Sequence, residues 1–218
     1  MNIGHEEKTH IARYLSFLLS AEKIAYHCAS RQVNLCDSGQ VKRFLIRQSR
    51  QEKFHAATFQ SAILWLTPKG VSTPAKKQLQ QYDSLLKNAT ENNDLFSSIL
   101  GLQVVLEGMG DIALSHFDHG IEQRGLGYRK IRRTILTQED SHHDFGLHYL
   151  KQHPLPVKAR RYTDDKVDCY LSLINDMLTS LQGLFDFFDE DAGNYLAEFN
   201  HKLPGQLRHN DLNHHPYP

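Results

Sequence analysis

The chain has 218 residues, enough for one domain of ordinary size that buries its own core without disulfides. Its 25 Lys and Arg balance 25 Asp and Glu, so the charge balance points to no nucleic-acid partner. Three scattered cysteines and no Cys-x-x-Cys pair argue against a secreted disulfide framework and favour the cytoplasm. A polar N-terminus and short apolar runs predict no signal peptide and no membrane span.

Long stretches without proline predict an all-α chain. In four segments, apolar residues recur every three or four positions, as one face of a helix requires. These segments are 9–30, 38–66, 93–119 and about 127–152. A shorter and more polar helix from Pro74 to about Asn88 is predicted as the long connection of a bundle.

The remainder of the chain predicts a fifth helical region over 163–200, which Gly183 and Gly193 are expected to break. We therefore predict a four-helix bundle with a long crossover connection and an additional C-terminal helical region, forming one domain over 1–203. The tail, 204–218, is polar and lacks periodicity, so we expect it to be loosely ordered.

The chemistry lies where polar residues interrupt the apolar stripes near their middles. Glu52 and His55 in the second helix, and Glu139 and His142 in the fourth, form Glu-x-x-His pairs. This spacing places a carboxylate and an imidazole about one turn apart on the same helix face, where both can bind one ion. Two such pairs predict one carboxylate and one imidazole for each of two metal ions.

The other two long helices carry a single glutamate at the corresponding depth, Glu22 and Glu107. Four buried carboxylates on four helices repel one another and are costly to desolvate unless cations lie between them. The predicted metal ligands are therefore Glu22, Glu52, His55, Glu107, Glu139 and His142, with one or more of the further carboxylates, those of Glu22 and Glu107, bridging. The alternative is that the glutamates sit at stripe edges and the histidines bond to the backbone.

Other polar residues near the apolar helix faces are weaker candidates for a role beside the metal ligands. Tyr26 and Asp111 each lie one turn after a predicted ligand, and Asp111 is a candidate acceptor for the remaining ring N–H of a ligating histidine. His27, His143 and His148 are expected to be solvated and receive no role.

Hard carboxylates with two imidazoles and no thiolate favour iron or manganese over copper, whereas zinc would bring no redox chemistry. Two iron ions are the first choice of cofactor, with a Mn/Fe pair as the alternative.

The ligand order resembles that of the ferritin-like di-iron carboxylate superfamily, over about residues 10–150. Within it, the segments Glu52-x-x-His55-x-x-x-Phe59 and Glu139-x-x-His142-x-x-Phe145-Gly146-x-x-x-Leu150 are most similar to those of aldehyde-deformylating oxygenases. Bacterioferritins and rubrerythrins share the ligand order, but nothing in this chain requires haem and the Cys-x-x-Cys pairs of a rubredoxin module are absent. The resemblance implies a carboxylate-bridged pair of iron ions and does not extend to a substrate.

Three functions follow. The first is a non-haem di-iron oxidase or monooxygenase that activates O2 and oxidises a small, apolar organic substrate with electrons from an external donor. Four aromatic residues of the C-terminal region are candidates to close its pocket, with plain core packing as the alternative role: Phe185, Phe187, Phe188 and Phe199. The second is a ferroxidase or iron-storage protein, and the third is a metal-free helical binding protein. We expect a monomer or a small homo-oligomer.

Overall fold

The computed structural model describes residues 4–37, 39–123, 127–154, 160–188, 190–203 and 207. Seven helices and no β-strand are found in this part of the chain, which confirms the predicted all-α class. The helices are α1 (His5–Asn34), α2 (Gln40–Leu66), α3 (Lys76–Glu91), α4 (Leu95–Gln123), α5 (Arg129–Gln152), α6 (Arg160–Phe185) and α7 (Ala192–Lys202). The predicted tail lies outside the described residues, apart from Leu207.

Four long helices form the bundle. A loop of a few residues joins α1 to α2, so the two run antiparallel and pack along their length, and α4 and α5 form the second such pair. Helix α3 lies in the predicted long connection between the two pairs, and it packs against α1. Helices α6 and α7 add to the same side, α6 against α3 and α4, and α7 against α4. Among the described residues, the α2/α5 side remains open, since none of α3, α6 and α7 makes its main contacts there.

Side-chain caps fix where several helices begin. Asp94 accepts a hydrogen bond from the backbone N–H of Ser97 at 2.9 Å and starts α4. Asp191 accepts from the N–H of Gly193 at 2.8 Å and starts α7. The expected breaks at glycine are therefore wrong: Gly183 lies inside α6 and Gly193 in the first turn of α7, and the interruption is the segment 186–191 between them.

The middle of α4 is a π-helix, Leu100–Leu106, and it directly precedes Glu107. Helix α5 approaches this segment at Gly146, where an added Cβ would lie 2.7 Å from Cβ and 2.9 Å from the backbone carbon of Gln103. Only a residue without a side chain allows that approach. The sequence pattern predicted a helix here but not the wider π-turns, which often occur at functional sites.

By length and composition, α4 is the one helix of the described residues that could cross a membrane. However, 83% of its most apolar window is buried against other helices. This is the pattern of the central core helix of a soluble protein.

Candidate metal centre

The six residues predicted as metal ligands come together in the middle of the bundle. They project from α1, α2, α4 and α5, and none is more than 6% exposed: Glu22, Glu52, His55, Glu107, Glu139 and His142. Burial of four carboxylates at one place requires compensating positive charge.

Their ligand atoms form two overlapping groups, and in each group the atoms lie within 4.8 Å of one another. The first group comprises Glu22, Glu52, His55 and Glu139, and the second comprises Glu52, Glu107, Glu139 and His142. Glu52 and Glu139 belong to both groups. We expected bridging from Glu22 or Glu107, but the residues common to both groups are instead the glutamates of the two Glu-x-x-His pairs.

Each histidine directs Nδ1 towards the carboxylates. Nδ1 of His55 lies 2.9 Å from Oε1 of Glu139, 3.2 Å from Oε2 of Glu52 and 3.3 Å from Oε2 of Glu22. Nδ1 of His142 lies 2.9 Å from Oε1 of Glu52. The two imidazole centroids are 6.3 Å apart, which leaves one nitrogen donor for each group.

The outer nitrogens of both rings bond to glutamine side chains across the bundle. Nε2 of His55 donates to Oε1 of Gln138 at 2.7 Å, and Nε2 of His142 donates to Oε1 of Gln51 at 3.0 Å. An amide oxygen only accepts, so Nε2 of each ring carries a proton. Once Nδ1 gives up its own proton, the neutral ring can present the Nδ1 lone pair to a metal ion.

Asp111 was a candidate for this outer role, but the structure gives the role to the two glutamines. Asp111 is buried but forms an ion pair with Lys202 of α7. Tyr26 is half-buried, and its ring packs against the exposed His27 with centroids 4.9 Å apart. The contacts of Tyr26 in the structure give it no part in the cluster.

Burial and the charge of neighbouring carboxylates raise the pKa values of Glu22, Glu107 and Glu139. Burial opposes ionisation of Glu52 too, but His142 and His55 outweigh that effect and lower its pKa. Burial disfavours the imidazolium of His142, yet Glu52 and Glu107 raise its pKa to about 11. Without a metal ion, the cluster therefore retains protons.

The donors fit a pair of divalent cations. Both oxygens of Glu52, Oε1 of Glu139 and Nδ1 of His142 are buried without a hydrogen-bond partner, although Nδ1 of His142 is close to Glu52. Buried polar atoms rarely remain unpaired in native proteins. Here their lone pairs face a common space, as metal ligands do. Each ion would receive one imidazole, one unshared carboxylate and the two shared carboxylates.

A chain of buried glutamines extends from the cluster. Nε2 of Gln48 donates to Oε1 of Glu107 at 2.7 Å, and Oε1 of Gln48 accepts from Gln103 at 2.9 Å. Gln103 in turn exchanges two hydrogen bonds with Gln32, which donates to Ser98. In the sequence, Gln48 and Gln103 already lie on the apolar faces of their helices. That position indicated a buried polar role, which was not predicted for them. This series of hydrogen-bonded glutamines fixes the orientation of Glu107.

His143 was expected to be solvated, and this prediction is wrong. It is 3% exposed, and Nδ1 donates to the backbone oxygen of Gln103, in the π-segment, at 3.3 Å. Burial lowers its pKa. Gly108 provides the room, since a Cβ there would lie 2.7 Å from the His143 ring. His27 and His148 are exposed, as predicted.

The C-terminal aromatic residues attach the outer helices to the bundle. Phe185 and Phe199 are 1% exposed and belong to the core. Phe187 stacks on His10 with centroids 4.1 Å apart, and Phe188 meets the ring of Tyr14 edge-on. These contacts give all four aromatic residues a packing role.

Neither a protein-family model nor a curated protein matches the sequence. A solved structure does: "Protein 19 with aldehyde deformylating oxidase activity" from Synechococcus matches with a TM-score of 0.73. The alignment covers 88% of this chain and 85% of that chain at 18% identity. The chain has a ferritin-like fold. The resemblance predicted from the ligand order is thereby confirmed for the ferritin-like bundle and its buried Glu/His cluster.

Proposed function

We propose that this ferritin-like bundle is a non-haem di-iron oxidase or oxygenase that activates O2 and oxidises a small apolar organic molecule. The observation that carries the proposal is the sharing of Glu52 and Glu139 between two ligand groups, each with its own histidine. When bound, two ferrous ions would supply the electrons that reduce O2.

The residues around the ions have distinct roles in this proposal. Glu52 and Glu139 hold the two ions together, while Glu22 and Glu107 each complete one group. Gln51 and Gln138 hold the histidines in the tautomer that can ligate a metal. The surrounding core excludes bulk water, which strengthens every charge interaction inside.

An aliphatic aldehyde is the first substrate class to test, because the similar Synechococcus protein has aldehyde-deformylating oxidase activity. At 18% identity, the similarity guides the choice of the first assay and does not assign the substrate. Oxidation of added Fe(II) by a many-subunit assembly, with no aldehyde consumed, would instead indicate a ferroxidase.

The test is the metal content per chain after anaerobic Fe(II) loading, together with the optical spectrum as O2 is admitted. We expect about two iron ions per chain and an O2-dependent absorption band. His142→Ala should lose the band and about one of the two ions, because His142 serves one ligand group. His148→Ala, at an exposed position of the same helix, should lose neither. Correctly folded wild-type protein that takes up no metal and shows no band would overturn the proposal and favour a metal-free binding protein.

A further inference from the structure

The open α2/α5 side of the bundle carries a basic groove. Two adjacent surface cavities, of about 290 and 630 Å³, meet at Gln138 and form it. The first cavity is lined by α2 residues and Gln138 of α5, and the second by α5 residues alone. The cationic residues of the two cavities are Arg43, Arg47, Arg50, Arg129, Lys130 and Arg133. We refer to this surface as the basic groove.

The charged residues of the two helix segments that form the groove are all cationic. The α2 segment 40–51 contains four cationic residues and no acidic one, and so does the α5 segment 129–138. Within the described residues, Arg43, Arg50, Lys130 and Arg133 have no recorded ion-pair partner. Because the whole chain is formally neutral, this concentration is a local feature of one face.

The floor of the groove lies next to the candidate metal centre. Gln51 and Gln138 line the cavities, and they are the two residues that accept hydrogen bonds from His142 and His55. One amide side chain therefore separates the groove from each imidazole. The helices that cover the opposite side of the bundle leave this route unblocked.

We propose that the basic groove docks an acidic one-electron carrier protein, which delivers electrons to the metal centre through this face. The inference rests on the proposed function, because reduction of O2 there requires electrons from outside. In each encounter the carrier loses one electron and leaves oxidised, and two encounters return both metal ions to the ferrous state.

The extent of the groove favours a protein over a small anion. The two cationic segments span about 18 and 15 Å of helix, far more than one phosphate or carboxylate covers. Phe54, which lines the groove and is 49% exposed, offers an apolar contact among the charges. Electron-transfer complexes typically have small interfaces and rely on electrostatic steering.

The test measures binding to the metal-free protein, so it does not depend on activity. The acidic probe is a plant-type [2Fe–2S] ferredoxin, and a basic cytochrome c serves as the carrier of opposite charge. We expect the ferredoxin alone to bind, and its affinity to fall as salt is raised. Arg43→Glu/Arg50→Glu should weaken binding at least about tenfold. Lys76→Glu/Lys77→Glu, the same charge change at exposed positions of α3, should weaken it less than about twofold.

Circular dichroism checks that the variants fold, and Arg43→Gln/Arg50→Gln provides a milder change whose loss of affinity should be intermediate. Equal weakening by the α2 and α3 variants, or binding of a polyanion such as heparin without binding of ferredoxin, would overturn the docking surface. If the protein takes up iron normally in that case, the proposed function stands. If ferredoxin binds the groove but the protein takes up no iron, the electron-entry role fails together with the proposed function.

Discussion

The amide oxygen of Gln138 on α5 lies 2.7 Å from Nε2 of His55 on α2. Gln51 on α2 and His142 on α5 make the reciprocal contact at 3.0 Å. Each of these two helices therefore sets the tautomer of the other helix's histidine. The contact also ties the two helices together on the side where their packing is sparsest.

Replacement of Gln138 by Leu should lower the affinity for Mn²⁺ about 10- to 100-fold, because the His55 ring loses the acceptor that orients it. Gln138→Glu keeps an acceptor and should restore most of the affinity. Thr137→Ala, at the exposed neighbouring position, is the control. Electron paramagnetic resonance of free Mn²⁺ during a titration measures the affinity, and equal affinity in Gln138→Leu and wild type would contradict this role.

Glu52→Gln and Glu22→Gln should differ in the number of ions lost. Glu52 serves both ligand groups and Glu22 only one. At a Mn²⁺ concentration that saturates the wild type, we expect about zero bound ions in Glu52→Gln and about one in Glu22→Gln. Elemental analysis after gel filtration gives the count, with the exposed Glu91→Gln as control. Identical losses in both variants would show that Glu52 is not shared.

The metal-free protein should become less stable as the pH rises from 6.5 to about 9. The pKa of His142 is raised from 6.5 to about 11, so the folded state keeps a proton that the unfolded state releases. Stability from such a group is complete below the unfolded pKa and is lost as the pH rises towards the folded one, by up to about 1.4 kcal/mol per pH unit.

The other groups of the cluster do not reverse this trend. The raised pKa values of Glu22, Glu107 and Glu139 act in the same direction, and the lowered pKa of Glu52 contributes no slope above its ordinary value of 4.5. Saturating Mn²⁺ replaces the protons, so the stability it adds should grow with pH. Urea unfolding in EDTA and in Mn²⁺ measures both slopes. Metal-free stability that is constant or rises over this range would refute the prediction.

Gly146→Ala should destabilise the fold by about 1–3 kcal/mol, since its methyl group would meet Gln103 of the π-segment at 2.7–2.9 Å. Gly183→Ala is the matched control: it lies within α6 and its added Cβ meets nothing within 4 Å. That variant should be neutral or more stable by about 0.5–1 kcal/mol. Chemical denaturation compares the two, and a stable Gly146→Ala would mean that α5 can move away from α4 at little cost.

Gln48→Leu should destabilise the metal-free protein by about 1–3 kcal/mol, because it leaves Glu107 and Gln103 without buried partners. Gln80→Leu, on the exposed side of α3, is the control for the change of residue type. Urea unfolding of both variants measures the difference, and an equal effect would remove Gln48 from the support of Glu107.

The long helices and the six candidate ligands could be predicted because burial leaves a periodic trace in the sequence. A glutamate in the middle of an apolar stripe, such as Glu22, stands out for its cost. Spacing alone would not have sufficed: Glu7/His10 and Glu198/His201 have the same separation but lie near helix ends, away from the cluster.

Features that depend on how helices meet could not be predicted from one helix at a time. The contacts of Gln51 and Gln138 with the histidines depend on how α2 and α5 align along the bundle axis. In the sequence alone, polar residues at these positions look like surface residues. The π-segment lies where α5 approaches α4 closely, at Gly146. Gly108 leaves the room that lets His143, adjacent to a ligand, turn inward to a backbone oxygen.

The basic groove has a counterpart elsewhere in the chain. In the stretch 164–191, almost all charged residues are acidic. Its described charged residues are Lys166 and seven acids: Asp164, Asp165, Asp168, Asp176, Asp186, Glu190 and Asp191. Helix α6 carries much of this charge on the side of the bundle away from α2 and α5. Although its formal charge is zero, the chain therefore carries a basic face and a separate acidic stretch. Near neutral pH it should be retained by both anion- and cation-exchange resins, and at low ionic strength its copies should associate head to tail until salt disperses them.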